Sequence, residues 1–86
     1  MYTRHFSHLK ESTLLDAEQG VWVRVIGFKG GEQFQRRLAQ LGFLPGSEAR
    51  VVRVAPFHGP LLIEADGREI VLGRGVAHRV LVEKVH

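Results

Sequence analysis

The segment from Gly30 to Gly46 constrains this chain more than any other. Gly30-Gly31-Glu32-Gln33-Phe34-Gln35-Arg36-Arg37-Leu38-Ala39-Gln40-Leu41-Gly42-Phe43-Leu44-Pro45-Gly46 reads as one short amphipathic helix, punctuated at both ends. Phe34, Leu38 and Leu41 fall at i, i+4 and i+7 and share one face, while Gln35, Arg36, Arg37 and Gln40 point elsewhere. Gly30-Gly31 breaks the preceding element, and Glu32 sets negative charge at the positive end of the helix dipole. Gly42 stands where a left-handed cap is wanted, and Pro45-Gly46 turns the chain. Nearly everything else is strand-like, so a single helix sits inside a β domain.

A chain of 86 residues makes one small domain. Such a domain buries roughly 60% of its unfolded surface, enough for one core and too little for a deep substrate cavity. There is no cysteine, hence no disulfide, thiol nucleophile or thiolate metal site. A cytoplasmic location is the expectation. The apolar runs fall far short of the ~20 residues that span a bilayer, and Met1–His8 has no apolar stretch of the signal-peptide kind. A formal net charge of +3 raises nucleic acid as a partner. The arginines are scattered, however, with no block of like charge, so solvated faces are expected.

Residues 1–12 lack periodicity and read as an N-terminal arm; residues 13–86 read as the folded domain. Leu14-Leu15 is suited to latch onto the core before Gly20. Val21–Phe28 is rich in β-branched and aromatic residues and reads as a strand, with Trp22 half-buried in it. After the helix, Glu48–Val54 is a second strand, with Ala49, Val51 and Val54 inward and Arg50 outward. Ala55-Pro56-Phe57-His58-Gly59-Pro60 is a loop, because two prolines and a glycine do not serve a central ladder. Leu61–Ala65 and Arg68–Leu72 flank Asp66-Gly67, the strongest short-range hairpin signal in the sequence, with positive φ expected at both turn residues. Gly73–His78 is a tight connector of about one 3₁₀ turn, and Arg79–Val85 is the last strand. The fold class is therefore all-β. Five short strands form a small barrel with one short helix between the first two, and Phe34, Leu38 and Leu41 plug one open end.

Catalytic chemistry is sparse. No serine sits in a nucleophile elbow, and Gly27-Phe28-Lys29-Gly30-Gly31 lacks the pattern of a phosphate loop. No enzymatic activity is expected and no cofactor is required. Histidine is the remaining chemical feature. His5 and His8 are spaced i, i+3, which puts two imidazoles on one face if the arm is helical. They are the candidate metal ligands, holding a divalent ion such as Zn²⁺ or Fe²⁺ weakly, because a buried structural site needs four ligands. His58, His78 and His86 read as surface residues.

Gly20, Val25-Ile26-Gly27, Arg37-Leu38-x-x-Leu41-Gly42-x-x-Pro45-Gly46, Val51-x-Arg53-x-Ala55-Pro56, Gly59-Pro60 and Ala77-x-x-Val80-x-Val82-Glu83 follow one another along the chain. This layout resembles the FeoA family, the small cytosolic proteins of bacterial ferrous iron uptake. The resemblance implies an SH3-like barrel and a role beside a membrane iron transporter. It implies binding to the cytosolic, GTP-hydrolysing region of a FeoB-type transporter, and contact with the membrane only through that partner.

SH3 domains that bind Pro-rich peptides need an aromatic groove. This chain has one Tyr and one Trp, so barrel shape does not bring that specificity with it. Partner contact is expected instead through Arg36 and Arg37, on the helix's outer side, and through Phe57 in the longest loop. Two other function classes remain as alternatives: a small basic β-barrel that binds nucleic acid, and a divalent-metal sensor or carrier that uses the histidines. Scattered arginines and few exposed aromatics argue against a base-stacking platform.

Overall fold

A computed structural model describes residues 12–85. Ser12–Thr13 forms the short strand β1, followed by a 3₁₀ turn at Leu14–Asp16. The chain continues through β2 (Val23–Phe28), α1 (Glu32–Gln40), β3 (Glu48–Val54), β4 (Leu61–Ala65), β5 (Arg68–Leu72), α2 (Arg74–Ala77) and β6 (Val80–Lys84). The strands make one antiparallel sheet in the order β1-β6-β2-β3-β4-β5.

The sheet departs from the expected five-stranded closed barrel in two respects. Among the described residues it has six strands, because Ser12 and Thr13 pair with Val82 and Leu81. Its ladder is open, ending at β1 on one side and β5 on the other. Two register shifts interrupt the ladder. One lies between Val25 and Gly27 against β6, the other between Val51 and Arg53 against β4. An extra residue at such a point bends the strand and increases its twist.

The core lies on one face of this sheet. Val23, Val25, Ala49, Val51, Leu61, Ile63, Ala65, Leu72, Val80 and Val82 supply it from the strands. Leu14, Leu38, Phe43 and Ala77 supply it from the turn, the helices and the loop after α1. The Leu14-Leu15 latch is present: Leu14 is fully buried and Leu15 packs beside it. Alternation in β3 holds for Ala49 and Val51. Val54 pairs with buried Leu61 but is 42% exposed, because the strand ends there.

Helix α1 ends as its glycine signal requires. Gly42 has φ +95°. Its N–H donates to the Ala39 carbonyl at 3.0 Å, and the Phe43 N–H donates to the Leu38 carbonyl at 2.9 Å. This pair of bonds is the Schellman closure, which ties the residue after the glycine to the last helical turn. The residue so placed is Phe43, which is fully buried. Leu41, expected on the buried face, is instead 38% exposed, because it already occupies the cap position where the helix unwinds. The helix thus meets the core through Leu38, with Phe34 partly buried beside it.

The Asp66-Gly67 turn has φ of +54° and +72°, the signature of a primed hairpin turn. The connector before β6 is one α-turn rather than a 3₁₀ turn, since the Ala77 N–H reaches the Gly73 carbonyl and the His78 N–H that of Arg74.

Candidate interaction surface

The β3–β4 loop presents Phe57 to solvent. Phe57 and His58 both have left-handed backbone, at φ +59° and +58°. For residues with a Cβ that conformation costs of order 1–2 kcal/mol each. The loop is pinned at its base by the Ala55 N–H donating to the Pro60 carbonyl at 3.0 Å, and within by the Gly59 N–H donating to that of Pro56 at 3.2 Å. A Cβ at Gly59 would stand 2.7 Å from that of Ala55 and 3.0 Å from the Pro56 oxygen, so only glycine closes this loop unshifted. The result is a phenyl ring 96% exposed at the end of the sheet.

Beside the loop lies a groove of about 160 Å³, lined by Arg53, Ala55, Pro60, Leu61, Leu62 and Val71. Register explains its floor. Arg53 pairs with Leu62, and Leu62 with Val71, so the three stand in one row across β3, β4 and β5. That row lies on the face opposite Leu61, Ile63 and Leu72. Val71 is 64% exposed there. Sequence reasoning passed over this row, although a signal was present. Leu61-Leu62-Ile63 and Ile70-Val71-Leu72 are runs of three apolar residues, and a period of two sends each middle residue outward.

Arg36 and Arg37 lie on the outer side of α1, where they line a shallow depression with Gln33 and Gln40. Arg36 is paired with Glu32, one turn earlier, at 3.2 Å. None of the described concavities is lined by both Phe57 and these two arginines.

Most remaining arginines hold the fold's own parts together. Arg24 stands between Glu48 at 3.3 Å and Glu83 at 3.5 Å, across three strands. Arg50 binds Glu64 at 2.7 Å and lies over the Trp22 ring at 5.2 Å. Trp22 stands just before β2 rather than within it, and is 37% exposed with the Arg50 guanidinium over its ring. Arg68 donates to the Leu41 carbonyl at 3.2 Å, and Arg79 to that of Lys29 at 2.8 Å. Among the described residues Arg37, Arg53 and Arg74 have no such partner.

A further concavity of about 280 Å³ lies between the 3₁₀ turn and strands β2 and β6. Asp16, Glu18 and Glu83 stand at it, with Val21, Val23 and Val82. Its walls come from distant segments, so no local pattern announced it. His5 and His8 lie outside the described residues. Among the described residues no three His, Cys, Asp or Glu side chains are grouped to hold a metal ion. His58 and His78 are exposed. No helix of the described residues is long and apolar enough to cross a membrane.

Comparison with known proteins agrees with this architecture. The FeoA domain model matches residues 12–84, so the chain belongs to the FeoA domain family. A curated relative from Methanocaldococcus jannaschii, provisionally named Fe(2+) transport protein A, is 34% identical over 67 residues, covering 78% of this chain and 79% of the relative. The crystal structure of an iron uptake regulatory protein (FeoA) superposes with a TM-score of 0.78 at 28% identity, over 88% of this chain and 99% of that one. The solution structure of iron(II) transport protein A from Clostridium thermocellum gives 0.81 at 30% identity, over 86% of this chain and 46% of that one.

Proposed function

We propose that this protein serves ferrous iron uptake as an accessory to a membrane transporter, without catalysing a reaction itself. The observation that carries the reading is the FeoA domain match from residue 12 to residue 84, which takes in every described strand. The names of its relatives, Fe(2+) transport protein A and iron(II) transport protein A, supply the cargo. The proposed partner is the cytosolic GTP-hydrolysing region of a FeoB-type transporter, met in the cytoplasm. The exposed Phe57 and the basic outer side of α1 are the proposed contacts. A small domain with a filled core expresses its function on its surface, and such a surface offers roughly 800 Å² to a partner, at the low end of specific interfaces.

The test is crosslinking or capture with that cytosolic region, comparing wild type with Arg36→Ala/Arg37→Ala and with Phe57→Ala. Capture at micromolar concentration, weakened by these substitutions, supports the reading. No capture by wild type, or GTP hydrolysis by the small protein alone, overturns it. Capture unaffected by either variant keeps the partner and rejects the surface.

A further inference from the structure

Charge is divided unevenly along the part of the sheet that carries the β3–β4 loop. Val54 closes β3 and Leu72 closes β5, and both register with Leu61 at the start of β4. The loop, Arg53-Val54 and Gly73-Arg74 therefore gather at one end of the sheet. Residues 49–63 and 70–82 hold Arg50, Arg53, Arg74 and Arg79 and no Asp or Glu. Glu64, Asp66 and Glu69 stand toward the β4–β5 turn, at the opposite end. Arg50 is engaged with Glu64, and Arg79 with the Lys29 carbonyl. Arg53 and Arg74 have no ring, carboxylate or carbonyl for their side chains among the described residues.

The same end carries Phe57, the most exposed large apolar side chain described at 96%, with Val71 at 64% and Val54 at 42%. Phe57 and His58 are held in left-handed backbone, and Gly59 closes the loop tightly against Ala55. Such strain persists only where the surroundings enforce it. Here it fixes the ring on the tip of a narrow loop. That tip offers little flat area to a protein, whose specific interfaces take ~800 Å² per side. A bilayer has no fixed shape to match. Its interface takes up aromatic and apolar groups, and its anionic headgroups attract neighbouring arginines.

We propose that this end of the molecule docks on an anionic phospholipid surface, with the Phe57 ring below the headgroups and Arg53 and Arg74 against their phosphates. The family resemblance implies membrane contact only through a transporter; this contact is direct and needs no protein partner. One ring and two arginines give a reversible attachment, since even a single fatty-acyl chain holds a protein to a membrane only marginally. The arginines of α1 take no part in it. Transporter capture in the absence of lipid is therefore a separate measurement, and either reading can fail without the other.

Co-sedimentation of the intact chain with vesicles tests the proposal. Vesicles of phosphatidylglycerol and phosphatidylcholine in equal parts should bind wild type, and vesicles of phosphatidylcholine alone should bind it at least tenfold more weakly. Raising salt to about 0.5 M should release it from the mixed vesicles. Phe57→Ala should weaken binding about tenfold, the effect of withdrawing one phenyl ring from the apolar layer. Arg53→Gln/Arg74→Gln should weaken it by a similar factor. Phe57→Trp should restore binding, and its emission should shift to the blue on adding vesicles while that of wild type, from Trp22, stays put. Arg24→Gln/Lys84→Gln removes the same charge at the β3 start, away from the loop, and should bind as wild type does. Phe57 is exposed, so Phe57→Ala decides the matter even where an arginine variant fails to fold. Wild type that ignores the anionic vesicles overturns the proposal, as does equal binding to both compositions. So does Phe57→Ala binding like wild type, or the Arg24/Lys84 control losing as much as the Arg53/Arg74 pair. Loss of transporter-region capture in Phe57→Ala, with wild type not binding vesicles, would assign the ring to that protein and likewise overturn docking on lipid.

Discussion

The Arg79 guanidinium lies 4.0 Å from the centroid of the Phe34 ring and fixes the entry to α1 from the far end of the chain. Its Nε also donates to the Lys29 carbonyl at 2.8 Å, and the Lys29 N–H returns a bond to the Arg79 carbonyl at 2.8 Å. A Cβ at Gly30 would come within 2.6 Å of the Phe34 ring and 2.7 Å of the Arg79 guanidinium. Gly30, in the loop between β2 and α1, thus abuts both the cation and the ring on which it lies. Arg79→Ala should cost about 1 kcal/mol, the sum of an exposed cation–π contact and a solvent-accessible hydrogen bond. Urea unfolding would read the loss, and faster amide exchange at Lys29 would place it at the helix entry. Unchanged exchange there would show that the backbone pairing alone suffices.

Two leucines of α1 should behave differently although the helical period groups them. Leu38→Ala removes a fully buried side chain and should cost about 2–5 kcal/mol. Leu41→Ala, at the half-exposed cap position, should cost less than about 1 kcal/mol. Chemical denaturation of both variants is the measurement, and equal losses would contradict the burial difference.

The hairpin turn gives a graded series. Gly67 has φ +72° with nothing within 4 Å of a would-be Cβ, so backbone conformation alone sets the cost of substitution. Gly67→Asn should be tolerated better than Gly67→Val by about 1 kcal/mol, because Asn enters the left-handed region and a β-branched residue resists it. Thermal unfolding of the two variants would show the order, and Val equal to Asn would refute it.

Arg24 links β2 to Glu48 on β3 and Glu83 on β6, with all three side chains substantially exposed. Exposed pairs contribute little and are screened by salt. Arg24→Gln should therefore cost less than about 1 kcal/mol in dilute buffer, and less still in ~1 M salt. A loss that persists in high salt would mean that packing of the arginine stem, not charge, holds the three strands.

Much of the fold was legible in the sequence because its signals are local. Strands β3, β4 and β5 begin and end where Glu48–Val54, Leu61–Ala65 and Arg68–Leu72 predict. Asp66-Gly67 and Gly42 adopt the positive φ that their residue types favour. Phe57 is exposed, as a residue bracketed by Pro56 and Gly59-Pro60 can be. The FeoA family was legible too, because its Leu-x-x-Leu-Gly-x-x-Pro-Gly element is itself a local helix-ending device.

Tertiary structure alone decided the rest. Phe43 belongs to no helical face, yet the Schellman bonds swing it into the core in place of Leu41. The sixth strand needed Ser12 and Thr13 to find Leu81 and Val82 at the other end of the chain. The open ladder and its two register shifts follow from strand pairing over long separations, which residue patterns do not encode. The groove beside Phe57 exists because register aligns Arg53, Leu62 and Val71 on one face. Local chemistry determined which segments become strands, turns and helix. Which of their side chains meet was settled by pairing between segments far apart in sequence.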